Sequence, residues 1–165
     1  MFCKLGSALE SLPVAVSATQ NETKSGELLL ATISDTHYYP KALAPHEEDA
    51  EYDAFIEKLL TSNVNYETLD YLIDSAFDSL EYASIEKGLK YVVLSGDLTL
   101  NGEKQGHEEL AQKLQAFERA TGLQVFVSNG NHDINNSRAA SYNNTPVERT
   151  TPQDFLEIYY QFGFA

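Results

Sequence analysis

The chain has 165 residues and a formal net charge of −14, from 25 acidic and 11 basic side chains. With 42% hydrophobic and 11% aromatic residues it is long and apolar enough for one folded domain with a real core. That charge excludes a broad electrostatic grip on nucleic acid or an anionic membrane, but it does not exclude a small anionic substrate held through a bound divalent cation.

The single cysteine, Cys3, excludes an intrachain disulfide and a thiolate metal cluster. No run of eighteen apolar residues is present, so no spanning helix is expected. Met1 to Ala18 carries one Lys, a mildly apolar run and Val16-Ser17-Ala18, which matches a small-residue cleavage site, but Glu10 and Pro13 interrupt the run. Residues 1–27 therefore read as a disordered segment or linker, with a signal-peptide remnant as the alternative. Residues 28–165 read as the folded part.

Leu28 to Ile33 is the first of three short apolar runs that read as strands; Tyr91 to Leu94 and Val125 to Val127 are the others. Their continuous character fits strands covered on both faces. Tyr38 to Asn63 reads as an acidic, irregular insertion over one edge, with a short helix around Ala54 to Leu60. Its run His46-Glu47-Glu48-Asp49-Ala50-Glu51 reads as a solvated face; it lacks the alternating Asp/Asn pattern and the Gly of a calcium loop.

Between the first two strands, Leu69, Leu72, Ile73, Ala76, Leu80 and Ala83 recur at helical spacing, and Gly88 is the expected stop. Between the second and third, Leu110, Leu114 and Phe117 face inward, with Gly122 as stop. A last helix opens at Thr151-Pro152, a capping residue followed by a first-turn proline, and carries Phe155, Ile158, Tyr159 and Phe162 on one stripe up to Gly163. Strand and helix alternate, so the fold class is α/β with a largely parallel βαβαβ core.

Each strand ends in a polar cluster: Ser34-Asp35-Thr36-His37, Ser95-Gly96-Asp97, and Asn129-Gly130-Asn131-His132-Asp133. Ligands of open parallel sheets bind beyond the carboxyl ends of the strands, so the three clusters are expected to share one rim. Asp, His and Asn offer carboxylate, imidazole and carbonyl donors, the set of a hard-to-borderline metal site. Asp35 and His37 are two apart, which in a regular strand places both on one face. Gly96 and Gly130 give tight backbone at the other two clusters. Converging Asp35 and Asp97 would repel each other, and no Lys or Arg in the clusters neutralises them. A divalent cation would.

Singly, an Asp-x-His or a Gly-Asp is usually an ordinary loop or cap. Gly130-Asn131-His132-Asp133 is more specific, arising by chance roughly once in a thousand chains of this length. His46 and His107 lie outside the strand ends and read as surface residues.

Together, Asp35-x-His37, Gly96-Asp97 and Gly130-Asn131-His132-Asp133 resemble the first three motifs of calcineurin-like metallophosphoesterases, over Leu28 to the C-terminus. Ser95 to Lys104 looks like the bacterial branch of large, often exported phosphohydrolases, which favours an exported or cell-envelope setting over a cytoplasmic one. The resemblance implies a four-layer α/β/β/α sandwich and two divalent metal ions (Mn, Fe or Zn) that activate water for in-line attack on a phosphomonoester or phosphodiester. It implies Asp35 and His37 on the first metal, Asp97 bridging both, Asn131 on the second, and His132 as the catalytic group beside the scissile phosphate. A cyclic-nucleotide or nucleotide phosphodiesterase of the same family, and a non-catalytic metal-binding remnant, are the alternatives. Family members add a later His and a Gly-His-x-His pair, whereas none of the four histidines here lies after His132. The expectation is that this is the N-terminal portion of the domain, partnered by a C-terminal half of the same domain, and that alone it is inactive or weak.

Overall fold

The computed structural model describes residues 28–165 apart from Asn63. The expected leader or linker over residues 1–27 lies outside the described residues. Three parallel strands, β1 (Leu30–Ile33), β2 (Tyr91–Ser95) and β3 (Gln124–Ser128), pair in the order β1-β2-β3. Their register aligns Ile33 with Leu94 and Leu94 with Val127, so the three strands run out together at one edge.

Helices α1 (Tyr52–Thr61) and α2 (Tyr66–Lys87) connect β1 to β2, and α3 (Lys104–Thr121) connects β2 to β3. Helix α2 buries Leu69, Ile73, Ala76 and Leu80 at three- and four-residue steps and ends at left-handed Gly88. Helix α3 buries His107, Leu110, Ala111, Leu114 and Phe117 and ends at left-handed Gly122. The stacked rings of Phe77 and Phe117, 4.5 Å apart, tie α2 to α3. Helix α4 (Pro152–Ile158) starts on a capping box: Thr151 Oγ1 accepts the Asp154 N–H at 3.1 Å and the Asp154 carboxylate accepts the Thr151 N–H at 3.0 Å.

The main core joins both helices to Ala31, Ile33, Val92, Leu94, Val125 and Val127, every second residue of the three strands. This corrects the expectation of strands covered on both faces. Leu30, Thr32, Tyr91, Val93 and Phe126 point to the opposite face, where Leu30 is 44% exposed. Among the described residues no second sheet lies over it, which leaves the parallel three-stranded α/β core of the expected sandwich.

The acidic segment after β1 is more regular than the sequence indicated. Tyr39, Ala44, Phe55, Leu59 and Val64 form a second, smaller core. Tyr39, Phe55 and Tyr66 pack ring to ring at 5.2–6.2 Å and hold α1 against the start of α2. His46, Glu47 and Glu48 are exposed, as expected of a solvated run. No helix of the described residues is long and apolar enough to cross a membrane.

Candidate metal centre

Beyond Ile33 the β1 backbone leaves the strand but keeps pairing with the β2 loop. The Asp35, His37 and Tyr38 N–H groups donate to the carbonyls of Gly96, Asp97 and Leu98 at 3.2, 3.0 and 2.9 Å. Thr36 Oγ1 donates to Leu98 O at 2.8 Å, and Leu100 N–H returns to Tyr38 O. The two loops are thus laced by main-chain bonds, and the side chains they carry converge.

Asp35, His37 and Asp97 each offer a ligand atom, all within 4.8 Å of one another. Their convergence does not come from alternation along a strand. Asp35, His37 and Asp97 all have left-handed backbone, with φ of 58°, 43° and 48°. Such a conformation costs about 1–3 kcal/mol per non-glycine residue, and Asp and His tolerate it better than most. Three site residues on two loops held there mark a place where geometry is imposed against local preference.

The electrostatics of the trio fit a cation. His37 Nδ1 is buried without a hydrogen-bond partner, and Nε2 lies 3.8 Å from Asp35 Oδ1, too far for a hydrogen bond. Ser34 Oγ donates to the other Asp35 oxygen. An imidazole that makes no protein hydrogen bond, facing two carboxylates with no Lys or Arg among them, is a donor set in want of a divalent ion.

The β3 loop is docked onto Asp97. A Cβ on Gly130 would sit 2.2 Å from Asp97 Oδ1, and one on Gly96 would sit 2.8 Å from Gly130 N, so both positions need glycine for close approach. Asp97 Oδ1 accepts the His132 N–H at 3.0 Å. Asn131 lies between these two anchored residues with its side chain exposed.

His132 is fixed on its other sides too. Its Nδ1 faces the Leu100 carbonyl, which only accepts, so the neutral ring carries its proton on Nδ1 and leaves the Nε2 lone pair free. Asn136 Nδ2 donates to the His132 carbonyl at 3.1 Å, and the ring stands edge-on to His37 with centroids 5.1 Å apart. The structure thus gathers Asp35, His37, Asp97 and His132 at one rim and sets Asn131 at its edge.

Behind the rim lies a polar cluster that sequence reasoning missed. Asp133 is fully buried; Oδ2 accepts the Gly130 N–H at 2.7 Å and Oδ1 accepts the Thr99 N–H at 3.0 Å. His107, expected on the surface, is 0% exposed. Its Nε2–H donates to the Asp133 carbonyl at 3.1 Å, and the Tyr159 hydroxyl donates to Nδ1 at 3.0 Å. Burial holds this imidazole below its ordinary pKa, against the pull of Asp133. The signal was present: His107 stands three residues before Leu110, on the inward stripe of α3. His46, by contrast, is exposed as expected.

The profile of the calcineurin-like phosphoesterase family matches residues 28–164. The chain belongs to that family. No curated protein is a match. Family membership and the Asp35, His37 and Asp97 group together make this a phosphoesterase-type protein with a candidate metal site at the strand ends.

Proposed function

We propose that the chain is a metal-dependent phosphohydrolase for phosphomonoesters or phosphodiesters, with Asp35, His37, Asp97 and Asn131 as metal ligands, Asp97 shared between two cations, and His132 as the catalytic residue. The observation that carries this reading is the His37 imidazole, left without a hydrogen bond between two carboxylates on strained backbone. When bound, divalent cations would supply Lewis-acid polarisation of the phosphoryl oxygens and of water.

The chain's own residues prepare that chemistry. The His132 N–H takes one lone pair of Asp97 Oδ1 and orients the carboxylate, which keeps its other acceptor sites for cations. The Leu100 carbonyl pins the His132 Nδ1 proton, so Nε2 is the atom that takes or gives a proton at the leaving-group oxygen. The laced loops hold these groups in place before any ligand arrives.

Donor counting supports unequal metal sites. Asp35, His37 and Asp97 with water make a workable three-residue site. Among the described residues a second cation would have a share of Asp97 and the neutral Asn131, so its affinity is lower than the first's. Calorimetric titration with Mn²⁺ or Zn²⁺, beside hydrolysis of p-nitrophenyl phosphate and bis-p-nitrophenyl phosphate, tests the reading. Two cations bound with equal affinity would refute the donor count. No metal binding at all would refute the site.

A further inference from the structure

A cleft of about 600 Å³ opens directly beside His37 and His132 and runs between α1 and the loop after β3. Its charge is unlike that of the rest of the molecule. The chain carries 25 acidic residues and a formal charge of −14, yet among the described residues no Asp or Glu lines this cleft. Its charged lining residues, apart from the two histidines, are Lys58 and Arg138. Neither forms an ion pair among the described residues.

The walls are fixed. Lys58 Nζ donates to Asn144 Oδ1 at 2.8 Å, and the Tyr39 hydroxyl donates to Ala140 O at 2.9 Å, each joining the segment before α2 to the loop after β3. Asn136 accepts the Arg138 N–H at 3.0 Å on its side-chain oxygen while its amide donates to the His132 carbonyl, so the backbone of Arg138 is tied to that of His132. A carboxylate-free channel with two unpaired cations, opening on the candidate catalytic histidine, is suited to an anion that is not the scissile phosphate.

Resting on the phosphohydrolase reading, we propose that this cleft holds the part of the substrate beyond the scissile phosphate, and that Arg138 and Lys58 bind a second anionic group there, a carboxylate or a further phosphate. The preferred substrates are then phosphate esters whose alcohol half is itself anionic. Arg138 and Lys58 are specificity residues and take no part in bond breaking.

Two esters of one shape test this: p-nitrophenyl phosphate and 4-carboxyphenyl phosphate, whose para groups are planar and similar in size but differ in charge. With Mn²⁺ present, Arg138→Gln is expected to lower kcat/KM for the carboxylate ester about 10–10²-fold, the scale of one charged hydrogen bond, and to leave the nitro ester within twofold. Arg138→Lys should restore part of the loss, and Lys58→Gln should act in the same direction. Calorimetry on the metal-chelated protein reads the cleft without turnover: wild type should bind 4-carboxyphenyl phosphate more tightly than the nitro ester, and the Arg138→Gln, Lys58→Gln double variant should bind both alike. If neither ester is hydrolysed but this binding preference holds, the phosphohydrolase reading fails and the cleft assignment stands. Equal binding of both esters by wild type, or equal loss on both in Arg138→Gln, overturns the assignment.

Discussion

Two histidine–carboxylate clusters stand close together, one at the rim and one behind it. His37 lies with Asp35 and Asp97 on left-handed backbone and makes no side-chain hydrogen bond. His107 lies with Asp133, fully buried, and both of its nitrogens are engaged, by Tyr159 and by the Asp133 carbonyl. The residue types are the same and the environments are opposite. A cluster whose polar atoms are all satisfied is scaffold, because nothing remains to offer a ligand and any loss leaves a buried orphan. A cluster whose donors converge unsatisfied is a candidate site, because an added ion would complete it. The buried cluster also supports the open one: Asp133 holds Gly130, and Gly130 lies on Asp97.

The sharpest way to break this division is to exchange the consequences of mutation across it. His132→Asn should lower kcat by about 10²–10⁴, the scale of one acid–base group, with metal still bound and the melting temperature almost unchanged. Loss of metal in that variant would assign His132 to the ligands instead. His107→Phe should do the reverse. It removes the ring's hydrogen bonds to the Tyr159 hydroxyl and the Asp133 carbonyl in the core, so stability should fall by about 2–4 kcal/mol in denaturant unfolding. Unchanged stability would mean that the buried cluster is not scaffold.

Asp97→Asn should weaken cation binding by at least the roughly 10–100-fold that outer-shell changes cost, since it removes a charge from the ligand set itself. Equal calorimetric affinities of variant and wild type would remove Asp97 from the site. The buried cluster should also respond to pH. Burial holds His107 below its ordinary value of 6.5, so the unfolded chain takes up a proton that the folded chain refuses. Its contribution is complete above about 6.5 and is lost as pH falls through that value toward the lower folded pKa. The drop in melting temperature between pH 7.5 and 5.5 should shrink in His107→Phe; an identical drop would place the acid sensitivity elsewhere. The smallest expected effect is Thr151→Ala, which removes the α4 cap at a cost of about 1 kcal/mol and leaves metal binding untouched.

Most of the fold was legible because its signals are local. Apolar spacing located α2 and α3, Gly88 and Gly122 ended them, and Thr151-Pro152 opened α4. The site was legible as three clusters because parallel strands of matched register must end together. What was not legible depends on tertiary contact. Nothing in Asp35-x-His37 announces left-handed backbone; it follows from pairing with Gly96 and Asp97, 61 and 60 residues further along the chain. The role of Gly130 was read as a turn, whereas the structure uses its missing side chain to seat Asp97. His107 was misjudged because histidine was weighed by its type and not by its place on a helical stripe. The alternation of burial along the strands was hidden because Leu30, Val93 and Phe126 are apolar on the less covered face too.

The main chain of β1 and β2 goes on pairing for several residues past the last strand position. The amide protons of Asp35 and His37 sit inside that extension and should exchange with solvent on the timescale of the sheet, not of a loop. A cation entering such a cage meets donors already in position. Its binding heat should therefore reflect coordination and displaced protons, with little of the heat-capacity change that accompanies coupled folding. Metal release is then governed by ligand exchange at the ion, and the protein's own opening rate sets only a distant upper bound on how long the ion stays.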